Sequence, residues 1–254
     1  MLDQAVIKGK TILVVEDEED LREPIAMELE SLGATVLQAA NGVKAFEILQ
    51  KQKVDAVISD IRMPGGDGVA LLKNIKTQDH TFPVVMLITG FSDLSREDAY
   101  HLGAEFILSK PFDLDDIVEA VSRILTPKAV LWNQPDALKG SLGPQLNRDF
   151  FNYSEAKAAG EFALGRGGFY LRMDQDYPNL NANTRFLVRF QTGDIAHLEG
   201  VGKVRWLRKT EAPGEAKGVG IEFEALVEQS REKLFAILDQ TVIRPFIPKK
   251  TSED

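Results

Sequence analysis

The 254-residue chain contains no cysteine, and that absence removes disulfides, thiolate nucleophiles and every Cys-based metal site from consideration. It has no apolar run approaching the length needed to span a bilayer, and its first ten residues, MLDQAVIKGK, lack the hydrophobic region of a secretory signal. A cytoplasmic protein without membrane insertion is therefore expected. A long basic stripe is also missing: the formal net charge is −9 and the isoelectric point is near 5.0, which leaves little to displace counterions from nucleic acid. No helix-turn-helix pattern or basic recognition helix follows Thr126, so DNA binding is not expected. The second half has a single histidine, His197, and no paired acids on adjacent strand ends, so no enzymatic output is expected from it.

What is present is unevenly divided. Counting charges gives about −10 before Thr126 and about +1 after it, an asymmetry that suggests two units with different tasks. The length accommodates two ordinary domains, each with its own core. Between them, residues 126–145 (TPKAVLWNQPDALKGSLGPQ) hold three prolines and two glycines without a sustained period and read as a linker. Trp132 is the candidate anchor of that linker against one domain. The domains are then residues 1–125 and 146–254.

The first half is organised around VDAVISDIRMPGGDG. Val54 to Ser59 read as a buried strand delivering Asp60 to its carboxyl end, where MPGGDG turns the chain into a helix starting near Asp67. Ile12 to Val15 form a similar apolar run that enters an acidic cluster, followed by Leu21, Ile25, Leu29 and Leu32 at helical spacing. ATVLQAA predicts a further strand and Val43 to Gln50 a helix. FPVVMLITG predicts a strand ending at Thr89, SREDAYHLGAE a short helix, EFILSKPF a strand, and Leu114 to Leu125 a strongly periodic helix. Five strands alternating with five helices define an α/β fold with a five-stranded doubly wound parallel sheet.

Such a sheet brings its strand ends to one crevice. Those ends carry Glu16, Asp17, Asp60, Thr89 and Lys110. Three carboxylates held together repel unless a hard divalent cation sits among them, and Mg²⁺ takes carboxylate oxygens together with water and a phosphoryl oxygen. Thr89 and Lys110 then supply a hydroxyl donor and a point cation for the remaining phosphoryl oxygens.

ILVVEDEEDLRE, ISDIRMPGGDG, LITG and SKPF, in this order and spacing over about Lys10 to Leu125, resemble the receiver domain of two-component response regulators. The resemblance implies Asp60 as phosphoacceptor, and Glu16, Asp17 and Asp60 as Mg²⁺ ligands with the Arg62 backbone carbonyl. It also implies Thr89 and Lys110 as phosphoryl contacts, a histidine kinase as partner, and a cis peptide between Lys110 and Pro111. Its only chemistry would be the transfer of a phosphoryl group to its own Asp60, and homodimerisation through the fourth helix, fifth strand and fifth helix is a further implication. One position departs from the family: the aromatic residue expected three before the lysine is Ile107. Phe106 is one residue away, and strand alternation points it to the opposite face.

After the linker the pattern changes to short strands, EFALG, GFYLRM, TRFLVRFQ, GVGKVRWLRK and GVGIEFEAL, with a loop through DQDYPNLNAN and a terminal helix assigned Leu226, Leu234, Ile237 and Leu238. An all-β small antiparallel barrel with a C-terminal helix is expected. ALGRGGFYL, VGKVRWL and GVGIEFEAL, within about Leu146 to Ile243, resemble the PilZ domain, whose members bind cyclic di-GMP or, in degenerate form, protein partners. Two parts of that family's binding sequence are altered here. No RxxxR arm precedes the barrel, and in ALGRGG Ala163 and Gly165 replace the polar residues, leaving Gly168. Arg148 and Arg166 are the remaining candidates for a cyclic di-GMP contact, with Arg166 expected on a solvated turn. A protein partner of the barrel is therefore the expected output, with cyclic di-GMP sensing as the alternative. Phe150, Phe151, Tyr153 and Tyr170 are candidate anchors for that partner, or else core residues.

Overall fold

The apolar run at the centre of the first half becomes β3 (Ala56–Asp60), with all five residues buried. A strand covered on both faces and paired on both edges has no use for alternation, which is why its apolar residues are continuous. In the computed structural model, residues 3–90, 94–139, 145–173, 180, 184–193, 195–209 and 216–249 are described. The chain divides into two units, Met1–Pro127 and Lys128–Asp254.

The first unit contains β1 (Thr11–Val15), α1 (Glu19–Ser31), β2 (Thr35–Ala39), α2 (Gly42–Leu49) and β3. It continues through α3 (Gly68–Gln78), β4 (Val84–Thr89), α4 (Arg96–His101), β5 (Phe106–Ser109) and α5 (Leu114–Leu125). The sheet order is β2-β1-β3-β4-β5 and every pairing is parallel. One face packs Ile12, Val14, Ile58, Met86 and Ile88 against Ile25 and Leu29 of α1 and Ile117 and Val121 of α5. Phe106 and Leu108 join this face, so Ile107, which is buried, points to the other one, as strand alternation requires. Side-chain caps fix the starts of α2, α3 and α5. Asn41 accepts from the Lys44 amide, Asp67 accepts from Ala70, and Asp113 and Asp116 form a reciprocal capping box. The Lys110-Pro111 peptide is cis, and so is Phe82-Pro83. No described helix is long and apolar enough to cross a membrane.

The second unit begins inside the stretch read as a linker, with α6 (Lys128–Leu131) and α7 (Pro135–Lys139). Trp132 is 1% exposed, edge-on to Phe223 and stacked on Phe235, each with ring centroids 5.4 Å away. β6 (Gln145–Phe150), α8 (Tyr153–Ala158), β7 (Phe162–Leu164), β8 (Gly168–Arg172), β9 (Thr184–Phe190), β10 (His197–Arg208), β11 (Gly218–Leu226) and α9 (Glu228–Gln240) follow. Leu226 ends β11 and does not lie on α9. The loop read through DQDYPNLNAN lies outside the described residues except Leu180.

The expected all-β antiparallel barrel is corrected to a curled, mixed six-stranded sheet in the order β6-β9-β10-β11-β8-β7. β6, which was not anticipated, runs parallel to β9 from Gln145↔Arg185 to Phe150↔Phe190, while the other pairings are antiparallel. The physical reason is how the edges meet. β6 and β7 approach through rings rather than a backbone ladder: Phe150 and Phe162 have centroids 5.9 Å apart, and Phe162 and Phe190 5.5 Å. Phe169, Phe186 and Phe223 continue this aromatic core.

Candidate functional site

The order reversal beside β1 and β3 leaves a crevice at their carboxyl ends. Into it β1 delivers Glu16 and Asp17, β3 Asp60, β4 Thr89, and the end of β5 Lys110. Ligand atoms of Glu16, Asp17 and Asp60 lie within 4.8 Å of one another, Glu16 and Asp60 buried and Asp17 exposed. Lys110 Nζ is 2.6 Å from Asp60 Oδ1 and 3.3 Å from Glu16 Oε2. The other Asp60 oxygen, Oδ2, accepts the Arg62 amide at 2.7 Å.

Local geometry holds Asp60 still. Helix α3 starts so close beneath it that a β-carbon at Gly68 would collide with the Asp60 carbonyl, and only glycine permits the approach. Thr89 is 6% exposed; its hydroxyl donates to the Gly90 carbonyl at 2.8 Å and its carbonyl accepts the Lys110 amide at 2.9 Å. Ile107 packs inside the unit and has no polar group to offer the crevice.

The charges are out of balance, and this tests the fit of a cation. Burial, and after it the negative charge of Asp60, push the Glu16 carboxyl above its ordinary 4.5, against the opposing effect of Lys110. Burial works against the Lys110 ammonium, but the Asp60 hydrogen bond and the charges of Asp60 and Glu16 hold it above the ordinary lysine value of 10.5. One ammonium facing three carboxylates leaves net negative charge in a site of all-oxygen donors, which suits a hard divalent ion such as Mg²⁺.

A pH dependence follows. Because folding raises the Glu16 value, the folded protein keeps a proton that the unfolded chain releases, so this group makes stability fall as pH rises from 4.5 through the raised value. The Lys110 contribution has the same sign but lies at alkaline pH: it is complete below 10.5 and lost as pH rises through the raised lysine value. In EDTA, Glu16→Gln is expected to melt above wild type by a margin that widens as pH rises above 4.5 toward the raised value. A margin that narrows over this range would contradict the assignment.

The candidate residues of the second unit are placed differently. Arg148, on β6, donates through Nη2 to the Arg172 carbonyl at 3.2 Å. Arg166 is not on a solvated turn: it is 4% exposed, and its Nε donates to the Arg244 carbonyl at 3.1 Å. The Arg166 amide donates to Pro245 O at 2.9 Å and the Gly167 amide to Phe246 O at 3.0 Å. The C-terminal segment around Arg244 to Phe246 thus lies across the ALGRGG turn. A β-carbon at Gly165 would collide with the Phe246 carbonyl, and one at Gly167 with the Phe246 ring. The glycines permit this approach. Gly168 begins β8, its carbonyl accepting the Gly165 amide at 2.8 Å. Of the four candidate anchors only Phe151 is well exposed, at 56%; Phe150 and Tyr153 join the aromatic core and Tyr170 stacks on Trp206. Sequence reasoning missed the C-terminal segment, whose only signal was an apolar pair, Phe246 and Ile247, between prolines after the last helix.

Residues 12–122 match the family model of the response regulator receiver domain. Over 122 residues the chain is 34% identical to sporulation initiation phosphotransferase F of Bacillus subtilis, covering 48% of this chain and 98% of that protein. Over 116 residues it is 40% identical to the DNA-binding transcriptional regulator NtrC of Escherichia coli K12, covering 45% of this chain and 24% of that regulator, so the chain spans about a quarter of that relative's length. The solved chemotaxis response regulator CheY4 of Vibrio cholerae aligns with 27% identity and a TM-score of 0.43 over 46% of this chain and 99% of that one. Through its first unit, the chain belongs to the response regulator receiver family.

Proposed function

We propose that the protein is a response regulator that accepts a phosphoryl group on Asp60 from a histidine kinase and signals through a protein-binding surface of its second unit. The observation that carries the first part is the contact of Lys110 with both Asp60 and Glu16 in a crevice with a third carboxylate, Asp17. An Asp60 carboxylate oxygen attacks the phosphorus of a phosphohistidine. The P–N bond breaks with its electron pair returning to the imidazole, and an acyl phosphate forms on Asp60. Lys110 offsets charge on the equatorial oxygens, and the Thr89 hydroxyl reaches one of them by exchanging its bond to Gly90. Glu16, Asp17 and Asp60 would hold Mg²⁺, which when bound would supply Lewis-acid neutralisation of the phosphoryl group. A small-molecule phosphodonor is expected to add one phosphoryl group with Mg²⁺ present and none in EDTA; equal uptake in EDTA would contradict the reading.

The second unit is read as a degenerate PilZ-like module. Support comes from the ALGRGG turn, where the amides of Arg166 and Gly167 and the Arg166 Nε already bond to main-chain carbonyls of residues 244–246. A dinucleotide phosphate placed there would have to displace those bonds, and each charge-assisted contact it lacks elsewhere costs about 1.5–3 kcal/mol. Calorimetric titration of the full chain with cyclic di-GMP is expected to show no saturable binding in the low micromolar range. Saturable binding abolished by Arg148→Ala or Arg166→Ala would favour the cyclic di-GMP sensor.

A further inference from the structure

Two of the three carboxylates ride on the short connection between β1 and α1. Glu16 is tied to the sheet by its amide, which donates to the Ala39 carbonyl at 3.2 Å. Asp17 is exposed. From the first turn of α1, Arg22 reaches back over this connection. Its Nη1 donates to the Glu16 carbonyl at 2.7 Å and to the Asp17 carbonyl at 3.4 Å, and its Nε donates to Gln38 Oε1 on β2 at 3.2 Å.

We propose that Arg22 is a positioning residue for the cation site, pinning the main chain of both acidic ligands to β2 so that their carboxylates are ordered before the ion arrives. The inference rests on reading the acidic crevice as a cation-dependent phosphoacceptor site. Arg22 acts on the site through two main-chain carbonyls, those of Glu16 and Asp17. The guanidinium suits this task because its donors lie in one rigid plane, and here they engage acceptors on three residues. A lysine at this position carries the same charge on one compact ammonium and cannot span the same set. Without the brace, ordering the exposed Asp17 would fall to the binding event itself and weaken it.

Electrostatics and positioning give opposite signs, which makes the inference testable. Removing a positive charge near a cation site should, by Coulomb attraction alone, tighten cation binding; removing a brace should loosen it. Outer-shell partners of metal ligands typically change affinity about 10–100-fold. The experiment is calorimetric titration of the full chain with MgCl₂, together with amide hydrogen exchange in EDTA. Arg22→Ala is expected to raise the Mg²⁺ Kd about tenfold and to speed exchange at residues 17–19 before any metal is added. Arg22→Lys is expected to weaken binding by less than Arg22→Ala, and Gln38→Leu, which leaves every charge in place, to shift Kd in the same direction. Should Arg22→Ala fail to fold, Arg22→Lys and Gln38→Leu carry the test. Unchanged or tighter Mg²⁺ binding in the variants, with wild type binding normally, overturns the positioning role alone. Absence of Mg²⁺ binding by wild type overturns the underlying reading of the site.

Discussion

Asp60→Ala is expected to reduce phosphoryl uptake from a small-molecule donor to background, while leaving the protein folded. Asp60 is 5% exposed at the end of the central strand, with one oxygen on the Lys110 ammonium and the other on the Arg62 amide. Neither remaining acid can replace it. Burial pushes the Glu16 carboxyl up, toward its uncharged and non-nucleophilic form, and Asp17 lies on the exposed connection after β1. Lys110→Ala leaves Asp60 in place but removes the ammonium proposed to offset charge on the transferred group, so its rate should fall roughly 10²–10³-fold. Intact-mass measurement of both variants beside wild type checks this. Undiminished labelling of Asp60→Ala would remove Asp60 from the mechanism.

Phe246→Ala is expected to produce a large loss of stability in the second unit. The Phe246 ring is 7% exposed, fills the space that a side chain at Gly167 would need, and has Lys128 Nζ at 6.0 Å and the Arg166 guanidinium at 5.9 Å from its centroid. Truncating a buried phenylalanine costs about 3–5 kcal/mol through lost burial and the cavity left behind. For a unit of this size that lowers the melting temperature by about 10 °C or more. Scanning calorimetry with and without Mg²⁺ assigns the transitions, since only the first unit should respond to the ion. A shift below about 2 °C in the second transition would mean that the C-terminal segment does not hold the ALGRGG turn.

The first unit was legible from its residues because its signals are local. Continuous apolar runs mark strands buried on both faces, and acids, a threonine and a lysine at their ends mark the crevice. The alternation rule also placed Phe106 and Ile107 on opposite faces. The second unit was legible only in part, because its determinants are distant in sequence. The proline and glycine content around Trp132 resembles a linker, and its burial depends on Phe223 and Phe235, about a hundred residues later. β6 is short, polar on alternate positions and at a sheet edge, so it carries little apolar signal, and no local pattern reveals that it pairs parallel to β9. Arg166 reads as solvated because its partners are main-chain carbonyls of a segment some eighty residues away, which leave no trace in residue type.

The most direct measurement is localisation of the acyl phosphate itself. The full chain is phosphorylated by a small-molecule donor with Mg²⁺, reduced with borohydride to convert the acyl phosphate to a stable alcohol, digested, and mapped by mass spectrometry. The expected result is a single modified residue, Asp60, formed with Mg²⁺ and absent in EDTA. Modification at any other residue, or none at Asp60 under conditions that label the protein, would contradict the account.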